Sequence, residues 1–233
     1  GKIRVYDNNF ELVAEKGNLP GQKPFSVAYA PGGRQVAVAY SDAGVIEVRD
    51  ADNLSLLYKP FMNDSENINA ALNKISFSAD GSKFYGGGRL DKKDADGNWK
   101  YIVRTWDNAG KGSHTDLLLL KNIAMDLKAL PGGSVVVLGS YPDLAVIGPA
   151  GKLTWYHSAG NNDFGSKNKS HFRVNNNGTS IGFTPFRENA CYFDIPERRL
   201  QEEQSLYPGP LEVNAGTTVT DWEMSNSPSV NGK

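Results

Sequence analysis

The stretch "LNKISFSADGSKFYGGG", residues 72–88, and its continuation "YIVRTWDNAG", residues 101–110, decide the fold class of this 233-residue chain. Asp80 and Gly81 separate two short apolar runs at a point where a hairpin turn prefers a glycine that can adopt a positive φ. A third apolar run ends at Trp106 and Asp107, before a further glycine-containing turn. The stretch therefore predicts consecutive antiparallel strands joined by tight turns.

The same arrangement recurs along the chain, and two sets of turn residues measure its period. The glycines of the first turn are spaced by 48, 52 and 45 residues, and they are Gly33, Gly81, Gly133 and Gly178. The residues of the closing turn are spaced by 43, 57, 41 and 46 residues, and they are Asp7, Asp50, Asp107, Gly148 and Asp194. A unit of three or four strands cannot bury both of its faces alone, so neighbouring units must stack.

Two copies of the repeat carry a resemblance to a known family. "FSADGSKFYGGG" followed by "YIVRTWD" resembles a WD-repeat blade, and "YAPGGRQVAVAYSDAGVIEVRD", residues 29–50, follows the same pattern with Arg49-Asp50 at the closing dipeptide. Only one copy has the Trp-Asp pair, and the Gly-His dipeptide of regular repeats is missing. The chain is also similar to the WD-repeat regions attached to bacterial signalling proteins. The resemblance implies an all-β propeller of about five to seven blades, each a four-stranded antiparallel sheet.

We interpret residues 1–233 as a single propeller domain or a propeller fragment. Four units are complete and two, at the ends, are partial; the units are 3–20 (partial), 25–60, 70–120, 122–158, 168–203 and 208–233 (partial). The partial units either share one blade and close the ring or belong to a truncated ring. A truncated ring would expose a sheet face and an unpaired edge, and self-association is then expected.

Charge and composition exclude several classes of partner. The formal net charge is -1, with 25 basic and 26 acidic residues that form no long block, so neither nucleic acid nor a membrane surface is an expected partner. No apolar run approaches the roughly 20 residues of a membrane-spanning helix. Cys191 is the only cysteine, which excludes an internal disulfide, and no signal-peptide pattern opens the sequence. A reducing, cytoplasmic location is the expectation.

The segment "RLDKKDADGNWKY", residues 89–101, is the strongest candidate for a metal site. Placing Gly97 at the sixth position of a calcium loop puts Lys92 at the first position and Val103 at the twelfth, where oxygen ligands are needed. The repeat favours another interpretation, because Gly81 and Asp107 are 26 residues apart whereas Gly33 and Asp50 are 17 apart. About nine additional residues therefore predict an extended hairpin with Asp96-Gly97 at its tip in a type I′ or related turn. A weak cation site is the alternative.

The usual catalytic motifs are missing from the sequence. The three histidines, His114, His157 and His171, lack metal-site spacing, and no G-x-S-x-G motif occurs. "YGGGR", residues 85–89, lacks the spacing of a phosphate loop, and we expect small residues there because the backbone is approached closely at the centre of the ring. "AVIGPAGKLTW", residues 145–155, resembles the tryptophan-docking repeat of quinoprotein propellers, although Ile147 occupies the aspartate position. We predict no catalytic residue, metal or cofactor.

The sequence favours a non-catalytic scaffold, a protein-interaction or ligand-sensing module of a larger protein that binds a protein or peptide partner through its loops. The alternative is a propeller enzyme, either a metal-dependent hydrolase or lactonase or a quinoprotein-like oxidoreductase. An aromatic residue among polar loop residues is a typical binding hot spot. The candidate contact residues are Asp91, Asp94, Asp96, Trp99 and Phe164.

Overall fold

The computed structural model describes residues 1–62, 72–141, 143–158, 173–175, 177–183 and 191–202. These residues form eighteen β-strands and two short 3-10 turns, Asn108–Gly110 and Pro131–Gly133. The strands are β1 (Ile3–Tyr6), β2 (Leu12–Lys16), β3 (Pro24–Tyr29), β4 (Gln35–Tyr40), β5 (Ile46–Asp50), β6 (Leu56–Tyr58), β7 (Lys74–Phe77), β8 (Phe84–Lys93), β9 (Trp99–Trp106), β10 (His114–Leu120), β11 (Ala124–Ala129), β12 (Val135–Gly139), β13 (Asp143–Ile147), β14 (Leu153–Ser158), β15 (Arg173–Val174), β16 (Ser180–Phe183), β17 (Cys191–Asp194) and β18 (Arg199–Glu202).

The strands form five antiparallel sheets, each built from strands that are consecutive in the chain. The first sheet contains β1 and β2 only, whereas the second to fifth sheets contain β3–β6, β7–β10, β11–β14 and β15–β18. The prediction of four-stranded antiparallel sheets is therefore confirmed for four of the five. The predicted partial unit at 208–233 lies outside the described residues.

Glycines fix the turns between the first two strands of each complete sheet. Gly33, Gly81, Gly133 and Gly178 have φ values of 73°, 72°, 81° and 71°. A side chain is disfavoured at such angles, so the spacing of these glycines sets the register of the repeat.

Apolar side chains between neighbouring sheets form the core. Ala37 and Val48 of the second sheet pack with Phe84 and Trp106 of the third, and all four are fully buried. Equivalent clusters join the third sheet to the fourth and the fourth to the fifth. The sheets are thus held face to face by side chains that alternate along each strand.

Two glycines of β8 allow this close packing. A Cβ atom added to Gly86 would lie 3.0 Å from the Trp106 ring, and one added to Gly87 would lie 3.0 Å from the Ala124 Cβ of the fourth sheet. The predicted close approach is therefore present. It is made to the Trp106 indole within the third sheet and to Ala124 at the face between the third and fourth sheets.

The first strands of three adjacent sheets, β3, β7 and β11, lie side by side. This arrangement places the first strand of each of these three sheets innermost and the later strands progressively outward. Within the described ranges, no helix is long and apolar enough to span a membrane.

Candidate interaction surfaces

The two longest of the described strands, β8 and β9, form the predicted hairpin extension. In it, β8 pairs with β9 up to Lys93 and Trp99. Asp94 Oδ1 accepts hydrogen bonds from the Asp96 and Asn98 amides at 3.1 and 2.8 Å, and the Gly97 amide donates to the Asp94 carbonyl at 3.0 Å. The sequence identified the hairpin correctly, but Asp94 rather than Asp96 organises its turn.

The turn type also differs from the expectation. A type I′ turn requires positive φ at both central residues. Here Ala95 and Asp96 do not have positive φ, whereas Gly97 does, at 82°. The turn therefore resembles a type I turn followed by a glycine bulge, which accommodates Asp94 because its side chain caps the loop amides.

A buried ion-pair network attaches the base of this hairpin to the neighbouring strand β10. Arg104 Nε and Nη2 donate to the two carboxylate oxygens of Asp116 at 2.6 and 2.7 Å, and Lys92 Nζ lies 2.7 Å from Asp116 Oδ2. The Arg104 side chain is 0% exposed and the Asp116 side chain 11%. Burial alone would raise the pKa of Asp116, but the hydrogen bonds from Arg104 and Lys92 outweigh it and hold the pKa below its ordinary value.

The candidate contact residues differ in position and in exposure: Asp91 lies in β8, Asp94 and Asp96 lie in the turn, and Trp99 begins β9. Asp91 and Asp94 are partly buried, Asp96 is exposed, and Trp99 is 60% exposed. Lys93 Nζ lies 5.2 Å from the centre of the Trp99 ring, a cation–π contact that leaves much of the ring open to solvent. Phe164 lies outside the described residues. The hairpin thus presents a tryptophan on an anchored support.

The metal interpretation of this segment finds no geometric support. No group of three or more His, Cys, Asp or Glu side chains in the described part of the chain is placed to hold a metal ion. Asp94 Oδ1 instead accepts the two turn amides.

The inner strand β3 carries a second surface, which we call the β3 stripe: Phe25, Val27 and Tyr29. These side chains are 51%, 60% and 53% exposed, and they alternate with the partly buried Ser26 and Ala28. The alternation of the sequence predicts that these three residues share one face of the sheet. In a fold of stacked sheets, apolar residues on a shared face are expected to be buried. No sequence signal indicated their exposure.

The remaining sequence candidates have packing roles. His114 stacks with Phe61, and His157 lies beside the Trp155 and Phe193 rings, with ring centres 5.8 and 5.7 Å away. Cys191 is buried in the apolar cluster that joins the fourth and fifth sheets. His171 lies outside the described residues.

Two tryptophans show how the divergent repeat is held together. Trp106, of the single Trp-Asp pair, donates its indole N–H to the Phe61 carbonyl at 2.8 Å. Trp155 of the fourth sheet packs on Phe193 of the fifth, with ring centres 4.3 Å apart. The segment that resembles a tryptophan-docking repeat thus provides a contact between sheets.

The comparisons with known proteins bear on the fold. No protein-family model and no curated protein matches the chain. A solved structure of Kuenenia stuttgartiensis hydrazine synthase matches with a TM-score of 0.60 and 16% identity, over 80% of this chain and 49% of that one. BamB from Moraxella catarrhalis matches with a TM-score of 0.58 and 14% identity, over 86% of this chain and 54% of that one.

The fold is a β-propeller. The chain spans about half the length of the solved structures it matches. At these identities the likeness shows the fold alone, and it does not show that the repeats are WD repeats. The propeller assignment nevertheless explains the stacked four-stranded sheets and the innermost position of β3, β7 and β11.

Proposed function

We propose that this propeller is a non-catalytic protein-interaction module that contacts a protein or peptide partner through the β8–β9 hairpin. The observation that carries the proposal is Trp99, a 60% exposed tryptophan beside the tip of an anchored hairpin. Tryptophan is among the residues most often responsible for binding energy, because it buries a large area with few rotatable bonds.

The anchoring of the hairpin supports the proposal further. Loops that order only on binding lose conformational entropy, and that loss weakens binding. Lys92 is tied to Asp116, and Asp116 is tied to the buried Arg104, so the hairpin base is already ordered. A preorganised Trp99 therefore retains more of its contact energy when a partner covers it.

The charges around Trp99 indicate the character of the contact. Lys93 and Lys100 flank the tryptophan on paired strands, and Asp94 and Asp96 lie in the turn. A polar rim around a central aromatic side chain is typical of protein interfaces. We infer a protein surface or peptide with an apolar pocket or patch for Trp99.

Affinity capture with the immobilised chain tests the proposal. We expect a specific partner to be retained by the wild type and lost when residues 91–99 are replaced by a two-residue Asn-Gly turn. Leu153→Ala is the matched control, because Leu153 is an exposed apolar residue on a different sheet. Equal retention by the wild type and the shortened hairpin would remove the hairpin from the interface.

A further inference from the structure

An open cleft of about 550 Å³ lies between turns of the second and third sheets. The turn between β3 and β4 contributes Pro31 and Arg34, and the turn between β7 and β8 contributes Asp80 and Gly81. Ala109, in the turn that follows β9, completes this part of the lining. The volume falls within the range of roughly 300–1,000 Å³ that is usual for small-molecule sites. The cleft lies at the opposite end of β8 from the hairpin turn and is a separate surface.

Contacts between the turns hold the lining in place. A Cβ atom added to Gly81 would lie 3.5 Å from Pro31 Cδ, so the proline ring packs beside the glycine. The Ala109 amide donates to the Ser82 carbonyl at 2.9 Å, and the Ala109 carbonyl accepts the Tyr58 hydroxyl at 2.7 Å. A ligand that enters the cleft therefore meets turns that are already ordered, which reduces the entropy lost on binding.

Arg34 brings a positive charge to the cleft. Its side chain is exposed, and it forms no ion pair or side-chain hydrogen bond with any residue in the described ranges. The Arg34 carbonyl accepts the Ala51 amide at 3.0 Å, so the backbone is fixed while the guanidinium stays available. Gln35 adds a side-chain amide to the same wall. A guanidinium donates two parallel hydrogen bonds to a carboxylate, which makes a carboxylate the best match for this wall.

Asp80 brings a negative charge to the other turn. Its Oδ1 accepts the Ser78 hydroxyl at 2.6 Å and the Ser82 amide at 3.0 Å, whereas its Oδ2 accepts the Ser82 hydroxyl at 2.9 Å. The hydrogen bond from Ser78, followed by those from Ser82, lowers the pKa of Asp80 to about 2, so the carboxylate is ionised at neutral pH. Asp80 is exposed and forms no ion pair with a cation of the described ranges. Its Oδ2 retains acceptor capacity for a second donor.

Two unlike charges therefore line one cleft without pairing with each other in the described structure. We propose that the cleft binds a small zwitterion, an amino acid or dipeptide whose carboxylate contacts Arg34 and whose ammonium group contacts Asp80 Oδ2. The remaining lining includes Ala30, Pro31 and Ala109, which suit a small apolar side chain. The ligand is a small molecule, whereas the hairpin contacts a protein or peptide surface, so the two proposals stand or fall separately.

An NMR titration of the isotope-labelled chain with L-alanyl-L-alanine tests the proposal. We expect saturable shifts of the Gly32, Gly81 and Ala109 amide resonances, because these residues line the cleft. The N-acetylated dipeptide lacks the ammonium group and the C-terminal amide lacks the carboxylate. Each should bind the wild type at least about fivefold more weakly, since each loses a charge-assisted hydrogen bond.

Two variants assign each charge to its partner. Arg34→Gln should weaken binding of the dipeptide at least about fivefold but leave binding of its C-terminal amide unchanged, because that amide has no carboxylate to lose. Asp80→Asn should weaken the dipeptide similarly and leave the N-acetylated form unchanged. Arg198→Gln is the matched control, because Arg198 is an exposed arginine in the turn before β18; it should bind the dipeptide as the wild type does.

The contrary results are equally clear. If the three amide resonances show no saturable shift, the cleft is not a site for this ligand. Equal affinity of the wild type for the dipeptide and its two blocked forms would show that the charges make no contact. This ligand comparison uses the wild type alone, so it decides the question even where Asp80→Asn loosens its own turn.

Discussion

Asp116 connects the stability of the propeller to the geometry of its candidate binding hairpin. Its carboxylate accepts both hydrogen bonds of the fully buried Arg104 fork and lies 2.7 Å from Lys92 Nζ. Asp116→Asn preserves the side-chain volume but removes the negative charge. Because a buried guanidinium then loses its counter-charge, we expect a loss of about 3 kcal/mol in the free energy of unfolding.

Urea denaturation followed by tryptophan fluorescence measures this loss. With a slope of about 2–3 kcal/mol per molar, the midpoint should fall by roughly 1–1.5 M. Glu15→Gln is a matched control, because Glu15 also accepts contacts from two cations, Lys2 and Arg4, at 2.6 Å, but those cations are exposed. The control should leave the midpoint almost unchanged, since exposed ion pairs contribute little.

Titration of the Asp116 carboxylate should make the free energy of unfolding depend on pH. The folded-state pKa of Asp116 is lowered, so its contribution to stability is present above its unfolded pKa, near 4, and is lost as the pH falls through the folded value. The wild type should therefore lose stability in acid more steeply than Asp116→Asn. Removing both charges in Arg104→Met with Asp116→Leu should restore most of the stability. A midpoint shift for Asp116→Asn as small as that of Glu15→Gln would refute this reasoning.

Three further predictions concern packing, titration and composition. Gly87→Ala should destabilise the protein by about 1–3 kcal/mol in urea denaturation, because the new Cβ would lie 3.0 Å from Ala124, while Gly17→Ala, with a nearest contact of 3.9 Å, should not. Burial raises the pKa of Tyr85 to about 12. The contribution of the neutral Tyr85 phenol to stability is therefore complete below about pH 10, the pKa of an unfolded tyrosine, and is lost as the pH rises through the folded-state pKa. Ultraviolet titration should show one fewer late-titrating phenol in Tyr85→Phe than in the wild type. Elemental analysis and an absorption spectrum of the purified protein should show no stoichiometric metal or quinone, and finding either would contradict a non-catalytic role.

The turn chemistry explains why much of the fold was predictable. Gly33, Gly81 and Gly133 adopt the positive φ that their positions between apolar runs required. This requirement is local, so it is readable from a few residues without knowledge of the rest of the molecule. The hairpin extension was predictable for a related reason, since it was measured against the length of the other units.

The features that sequence could not predict depend on partners distant along the chain. Arg104 is buried because register places Asp116 opposite it on β10, and alternation alone does not specify that pair. Val27 and Tyr29 share an apolar face, as their spacing predicts, but their exposure depends on whether strands lie over them. The Asp96-Gly97 dipeptide predicted a two-residue turn centred on Asp96. The turn instead forms around Asp94, because the Asp94 side chain accepts hydrogen bonds from the Asp96 and Asn98 amides.

The most direct test of a hairpin-centred interaction module is the dissociation constant of the captured partner, measured by calorimetry for the wild type and Trp99→Ala. A central aromatic contact predicts a weakening of roughly 30-fold or more, equivalent to about 2 kcal/mol. Leu153→Ala should bind as tightly as the wild type. An unchanged dissociation constant for Trp99→Ala would contradict the proposed role of the hairpin.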